Sequence, residues 1–409
     1  MTGIPSASAA ALPARGGPLE GIRVLEFATA IMVPYAAQLL ADLGAEVVKL
    51  ESPEGDSNRW MTPGAHPELS SIAINLHRGK RSIAVDLKQP AGREVFLAEA
   101  ARSDVLLTNL RPRALKALGL DEPSVREVSP AIVYVEAHGF PLQSGDADLP
   151  AYDDVIQALT GAARLGERTG AGVGFVPMLL ADKLGGWAVA QAATAALLRR
   201  ERAGGGQHVE VPMFDAVLSF VLAEHIGTAG YPGGEAGYSR VLNPNRGPHR
   251  TSDGWIAAMP NRDEHWRLIL TVGGLADRLS EPWQRDMPAR VWDGERAYGD
   301  LKAALLARTT QEWLAIFADA DIPGSEVVSV ENIVRDPVRH RGMIVEREHP
   351  VAGRWRAIGA PARFHTSPLP EPGPAPLVSG DADAILAELG YDAAAREVLY
   401  EEGAVRRPS

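Results

Sequence analysis

The chain has 409 residues, enough for two or three domains with their own cores and too many for a disulfide-stapled mini-scaffold. Its 41 Lys and Arg stand against 52 Asp and Glu, a net charge of −11 that is the opposite of a nucleic-acid footprint, so any anionic ligand must find a local basic cluster. There is no cysteine, which excludes disulfides, thiolate zinc sites, iron–sulfur clusters and a thiol nucleophile and leaves the chemistry to carboxylate, hydroxyl, imidazole or amine.

Residues 1–17 are rich in small residues and lack a basic start followed by an apolar stretch. They read as a disordered leader without a secretory signal, and a cytoplasmic setting is expected. From Leu19, short apolar runs alternate with helical patterns. GIRVLEF reads as a strand ending near Glu26, Val33 to Leu43 as a helix stopped by Gly44, and AEVVKLE as a second strand to Glu51. RSIAVDL, a helix from Ala91 to Ala101, the strand DVLLTN, a helix after Pro112 and the strand AIVYVEA continue the alternation. Strands alternating with helices predict an α/β fold with a doubly wound parallel sheet. Ligands of such sheets sit beyond the carboxyl ends of the strands, so residues 28–35, 52–59 and 109–113 are site candidates.

The glycines of residues 161–174 predict an irregular loop, and a long helix should begin just after it. The uncharged run Leu184 to Leu198 is shorter than the roughly 18 to 20 residues of a membrane span and reads as a buried helix. QHVEVPMFDAVLSFV adds a strand and a helix. Gly227 to Pro248, rich in Gly, Pro, Asn and Tyr, marks a domain boundary, beyond which short strands and helices mix as in an α+β subdomain. Thr309 or Thr310 is expected to cap the helix QEWLAIFADA. A strand pair around MIVEREHP and RWRAIGAPARF, a proline-rich stretch and a helical segment from Ala382 complete the chain, and this tail is expected to pack on the first domain.

The sharpest candidate for chemistry is Asp182, at the junction of the glycine-rich loop and the long helix, where helix amides favour a carboxylate. An ordinary helix N-cap is the plain alternative. Against it, Gly185 and Gly186 follow at once, each weakening the helix by roughly 1 kcal/mol relative to Ala, as though something needs close access beside the carboxylate. In a chain without cysteine, a carboxylate nucleophile is a leading route to covalent catalysis. The basic residues His77, Arg78, Lys80 and Arg81 precede the third strand, and Arg111, Arg113 and Lys116 follow the fourth; they are candidates for a phosphorylated ligand. Gly170, Gly172 and Gly174 imitate a dinucleotide fingerprint only weakly, which disfavours a nicotinamide cofactor. His138, His208, His249, His340 and His365 are scattered, without HExxH or another compact ligand set, so no metal is expected. GxSxG and P-loop motifs are absent.

Several segments together resemble the class III CoA-transferase family, the group of formyl-CoA transferase, L-carnitine CoA-transferase and α-methylacyl-CoA racemase. They are PLEGIRVLEF, QLLADLGAEVVKLESPEGDSNRW, GKRSIAVDLK, DVLLTNLRP, AYDDVIQALTG, LLADKLGG, AALLRRERAGGGQHVEVPMFDAV, TSDGWIA, and DPVRHRGMIVEREHPVAG through ILAELGYD. They run in the family's order from about Pro18 to Ala404. The resemblance implies a large Rossmann-like CoA-binding domain from residues 18–226 and 331–409, a smaller α+β domain from 227–330, and an interlocked homodimer. It implies exchange of CoA between an acyl-CoA and a carboxylic acid, with CoA as substrate and carrier, no permanent cofactor, and no nucleic-acid or membrane partner. The nucleophile falls on Asp182, forming aspartyl mixed-anhydride and aspartyl-CoA thioester intermediates, and Lys80, Arg81, Asn109, Leu110 and Arg111 fall on the CoA site.

The chain departs from the family pattern at several positions. Met32, Val33 and Pro34 stand where many members have Ala-Gly-Pro; Ile31 and Ser52 stand where formyl-CoA transferase has glutamine and arginine; and its tetraglycine loop is missing from WIAAMPNRDEHW. These departures point away from formate and oxalate and toward a more apolar acyl pocket. Racemases carry a His where this chain has Tyr152, and formyl-CoA transferase has Tyr there, so Tyr152 joins Asp182 as a catalytic candidate and transfer is preferred. Alternatives are racemisation by acid/base proton exchange and, further off, a nucleotide-binding oxidoreductase or an inactive CoA-binding paralogue.

Overall fold

A computed structural model describes residues 16–408. The expected leader therefore lies outside the described residues except for Gly16 and Gly17. Packing divides the chain into two compact units: one runs to Thr160 and includes Pro177–Phe220 and the chain from Gly342, and the other comprises Gly161–Val176 and Val221–Arg341.

The first unit is built on six parallel strands, β1 (Arg23–Phe27), β2 (Glu46–Glu51), β3 (Arg81–Ala84), β4 (Val105–Thr108), β5 (Val133–Glu136) and β6 (Gln207–Glu210). Their order is β3-β2-β1-β4-β5-β6, so the winding direction reverses between β1 and β4, the place where open α/β sheets bind ligands. Val24 faces Val47 on one side and Val105 on the other, and β1, β2 and β4 are buried along almost their whole length, which is why they read as continuous apolar runs. Around the sheet run α1 (Met32–Asp42), α2 (Pro90–Arg102), α3 (Pro112–Leu118), α4 (Glu122–Val128), α5 (Asp153–Leu159), α6 (Leu180–Ala203) and α7 (Met213–His225). The alternating pattern thus produces the parallel α/β sheet it predicts. Gly44, at φ +102°, ends the first crossover; a Cβ there would lie 2.1 Å from the Gly16 carbonyl oxygen.

The second unit has its own core of Ile256, Trp266, Leu301, Trp313 and Phe317. This core lies among an antiparallel sheet of β7 (His249–Arg250), β8 (Trp255–Ala258) and β9 (Gly324–Glu326) and helices including α8 (Asp263–Val272), α9 (Gly294–Leu305) and α10 (Thr310–Asp319). Thr309 caps α10 in a capping box with Glu312. Packing adds Gly161–Val176 to this unit and places the limits of its main run at Val221 and Arg341, where composition suggests Gly227 and residue 330. Two local reasons account for the offset: α7 runs unbroken from Met213 to His225 through the first limit, and Arg339 pairs with Glu326 of β9, which keeps the segment after Val330 with this unit. The chain then forms the hairpin β10 (Ile344–His349) and β11 (Gly353–Ile358) and returns to the first unit, where α11 (Ala382–Glu388) and α12 (Ala393–Glu401) put Ile385, Leu386 and Leu399 into the core with Leu25, Ile83 and Phe96. Among the described residues no helix is long and apolar enough to cross a membrane.

Candidate active site

Beyond the carboxyl ends of β1 to β4 the first unit opens a cleft of about 320 Å³. Phe27, Leu50, Val85, Leu110 and Leu118 give it an apolar floor, and Ser52, Asp56, Asp86 and Lys88 a polar edge. Phe27 ends β1, Leu50 is next to last in β2 and Val85 follows β3, while Leu110 and Leu118 come from the loop and helix after β4. Arg111, Arg113 and Lys116 follow β4 at the same end of the sheet, are exposed, and form no ion pair among the described residues. An apolar slot for a flat ring beside unpaired cations suits a nucleotide carrying phosphates.

Beneath the cleft lies a buried charge cluster. Lys49 Nζ donates to Glu26 Oε1 at 2.7 Å, to Asp56 Oδ2 at 2.8 Å and to the Ala28 carbonyl at 3.1 Å. Lys80 Nζ donates to Glu26 Oε2 at 2.6 Å and to the Pro34 carbonyl at 2.8 Å. Arg59 holds Glu51 through Nε at 2.7 Å and Nη2 at 2.5 Å. Three cations and three carboxylates compensate one another, the arrangement that makes buried charge tolerable. Burial pushes the Glu26 carboxyl up, but the two ammoniums hold it below its ordinary value; burial brings the Lys80 ammonium down to about 8 despite Glu26. His77, buried among these cations, is held neutral, and its Nε2 lies 2.7 Å from Asn58 Oδ1, which therefore accepts from it.

Asp182 is the third residue of α6, not its N-cap, a position held by Leu179. Its own N–H donates to Asp153 Oδ2 at 3.0 Å, and the other Asp153 oxygen accepts from Gln157 Nε2 at 2.5 Å. Asp153 opens α5, where helix amides favour an acid. Burial first, and then the neighbouring Asp153 charge, push the Asp182 carboxyl up to about 6, while the Met32 backbone N–H and Lys183 pull the other way. Met32 is the first residue of α1, so its N–H has no partner within that helix. Gly185 and Gly186 explain the approach: a Cβ at Gly186 would stand 2.7 Å from the Met32 carbonyl oxygen and one at Gly185 would stand 2.6 Å from Met32 Cε. Two helix starts and a second carboxylate thus converge on one half-buried acid whose carboxyl is held above its ordinary value, the environment of a functional carboxylate.

A family model described as CoA-transferase family III matches residues 19–382. The chain belongs to CoA-transferase family III. It is 30% identical to a succinate–glutarate CoA-transferase of Agrobacterium fabrum over 92% of this chain and 97% of that one. It is likewise 30% identical to a formyl-CoA:oxalate CoA-transferase of Escherichia coli O157:H7, over 91% and 96% of the two chains. Among solved structures, a CaiB/BaiF family protein from Brucella suis superposes with a TM-score of 0.78 at 28% identity, covering 91% of this chain and all of that one.

Within this family III chain the expected site residues fall in different places. Leu110 lines the cleft; Asn109, beside it, bonds the Thr29 main chain through Oδ1 at 3.0 Å and Nδ2 at 2.8 Å; Arg111 precedes α3. Lys80 and Arg81 do not reach the cleft. Arg81 begins β3 at the sheet's opposite end and pairs with Glu46 at 2.6 Å and Glu388 at 2.8 Å, while Lys80 is spent inside on Glu26. Tyr152 is 70% exposed at the N-cap of α5, next in sequence to Asp153. Ile31, Met32 and Val33 are all buried, Met32 against Gly185, so they serve the packing of α1. Asp153 was hidden behind Tyr152 in AYDD, although an acid at a helix's first position was a readable signal. His138 and His208, scattered in sequence, both meet Glu136 Oε2 at 3.2 Å.

Proposed function

We propose that this family III protein moves CoA from an acyl-CoA thioester to a carboxylic acid with Asp182 as nucleophile. The observation that carries the reading is the placement of Asp182 in the first turn of α6, its N–H on Asp153 and the start of α1 packed against Gly185 and Gly186 beside it; burial and Asp153 raise its carboxyl to about 6. At pH 7 such a group is ionised by roughly ten to one, yet it is less well solvated than a surface carboxylate and hence a better nucleophile.

An Asp182 oxygen attacks the thioester carbonyl carbon; the C–S bond breaks, CoA leaves as thiolate and a mixed anhydride forms. The thiolate then attacks the Asp182 acyl carbon, expelling the donor acid and leaving an aspartyl-CoA thioester. The acceptor carboxylate attacks that carbon, releasing the thiolate and making a second anhydride. Attack of the thiolate on the acceptor's acyl carbon yields the new acyl-CoA and frees Asp182. Each step exchanges one activated acyl group for another, so no outside energy source is required. The Met32 amide is a donor for charge developing at Asp182.

In this reading the cleft takes the adenine end of CoA, with Arg111, Arg113 and Lys116 toward its phosphates, and Tyr152 stands beside the reacting acids. Relatives named for succinate, glutarate, formyl and oxalate exchange indicate a carboxylic acid acceptor as a class. A homodimer belongs to the reading as well: Tyr152, Leu159, Met178 and Trp187, on and beside the helices that carry Asp153 and Asp182, are large and exposed, an apolar surface suited to a second copy. The test is incubation with succinyl-CoA and a panel of acids, following CoA thioesters by chromatography. A new thioester that requires both donor and acceptor supports transfer. Exchange of the substrate α-proton with deuterated water, without any acceptor, would instead establish racemisation.

A further inference from the structure

The loop joining β1 to α1 is held far more tightly than a surface connection requires. Its Ala30 sits at φ +65°, in the left-handed region that a residue with a side chain seldom enters. Five side-chain hydrogen bonds hold three residues there. The Ala28 carbonyl accepts from Lys49, the Thr29 N–H and carbonyl bond Asn109, the Ala30 N–H donates to Asp56 Oδ1 at 2.9 Å, and the Ala30 carbonyl accepts from Asn58 Nδ2 at 2.6 Å. Asp56 is fixed in turn by Lys49 at 2.8 Å and by its own N–H donating to Glu51. Two residues past Ala30 begins α1, whose first carbonyl lies so close to α6 that position 186 has room only for hydrogen. Asp182 is four residues before Gly186 and hence on the same face of α6.

We propose that Asp56, anchored by Lys49, is a positioning residue for the transfer reaction: by locking Ala30 in its left-handed arch it aims the first amide of α1 at Asp182. The strain at Ala30 is maintained because the buried charge cluster overdetermines the loop, which couples the wall of the cleft, where Ala28, Thr29 and Asp56 all stand, to the nucleophile. The charged groups facing Asp182 are Asp153 from α5 and Lys183 from its own helix, and neither touches the arch. The proposal rests on the reading of Asp182 as nucleophile.

The test compares the full-length wild type with Asp56→Asn and Ala30→Val, measuring kcat and KM across pH and the formation of CoA adduct on Asp182 by peptide mass analysis. Ala30→Val strains the arch from a half-buried position while leaving every side chain of the ion cluster in place, and a thermal melt of each variant shows that it is folded before its kinetics are read. The expected result is a kcat lowered roughly 100-fold in each folded variant, as for a misaimed catalytic group. The acid limb of kcat moves up by about one pH unit, because a carboxylate that loses an N–H donor is harder to ionise. Wild-type kcat and acid limb in either folded variant would overturn the proposal, as would a raised KM with an unmoved limb. An unmodified Asp182 in the wild type would overturn the nucleophile reading itself, and this proposal with it.

Discussion

Adjacent glycines on α6 should respond unequally to the same added methyl group. In an ordinary helix interior Gly→Ala is worth about 1 kcal/mol of stability. At Gly186 the new Cβ would stand 2.7 Å from the Met32 carbonyl oxygen and 2.9 Å from Tyr35 Cδ1, so the main chain of α1 must move. Overpacking of that kind costs about 1 to 3 kcal/mol, leaving a net loss of about 0 to 2 kcal/mol. At Gly185 the three atoms nearest the new Cβ all belong to the Met32 side chain, and a methionine with three rotatable bonds can turn aside, so the net change stays within about 1 kcal/mol of zero. Activity should separate the two further, since Gly186→Ala moves the α1 amide off Asp182 and should lower kcat by about 10- to 100-fold. Thermal melts and steady-state kinetics on both variants decide the matter. A Gly186→Ala enzyme as stable and as fast as Gly185→Ala would refute the reasoning that these glycines exist to admit α1.

Asp182→Asn should be more stable than wild type above about pH 6, by about 1 to 3 kcal/mol, because the fold holds this carboxyl above its ordinary value. A raised acid favours the folded state fully only below its unfolded value near 4 and loses that contribution as pH climbs to about 6, so melts at pH 4 should show the gap closed; an equal gap at pH 4 and 7.5 would speak against the raised value. Lys49→Met strands Glu26 and Asp56 without their shared cation and should cost about 3 to 5 kcal/mol. Arg339→Met at the half-exposed pair with Glu326 should cost less than about 1 kcal/mol, and similar losses in the two variants would contradict the burial argument. Arg111→Ala with Arg113→Ala should raise KM for acyl-CoA about tenfold and flatten its salt dependence, whereas Arg81→Ala should lower the melting temperature and leave KM alone. A raised KM in Arg81→Ala would return that residue to the CoA site.

Patterns with a local cause were legible in the sequence. Apolar runs bounded by helix signals mark the inner strands of the parallel sheet, though not the polar edge strand QHVE, and the glycine-rich loop before an apolar helix singles out Asp182. Contacts between distant segments were not. Asp153 lies 29 residues from Asp182, and nothing local says that its carboxylate accepts the Asp182 amide. Lys80 and Arg81 show the other limit, since charge shows in a sequence but its partners do not, and both pair with carboxylates inside the fold. Gly185 and Gly186 were readable as making room beside a carboxylate, but the occupant, α1, is a matter of tertiary packing. The strain at Ala30 was invisible, because alanine normally signals an unstrained backbone.

The central claim is that Asp182 carries the acyl chemistry, and trapping tests it most directly. The wild-type protein is incubated with an acyl-CoA donor, treated with hydroxylamine or borohydride, digested and read by peptide mass analysis. The expected product is a hydroxamate or reduced side chain at Asp182, absent from Asp182→Ala, which should also lose turnover. Modification at another residue, or full turnover by Asp182→Ala, would contradict it.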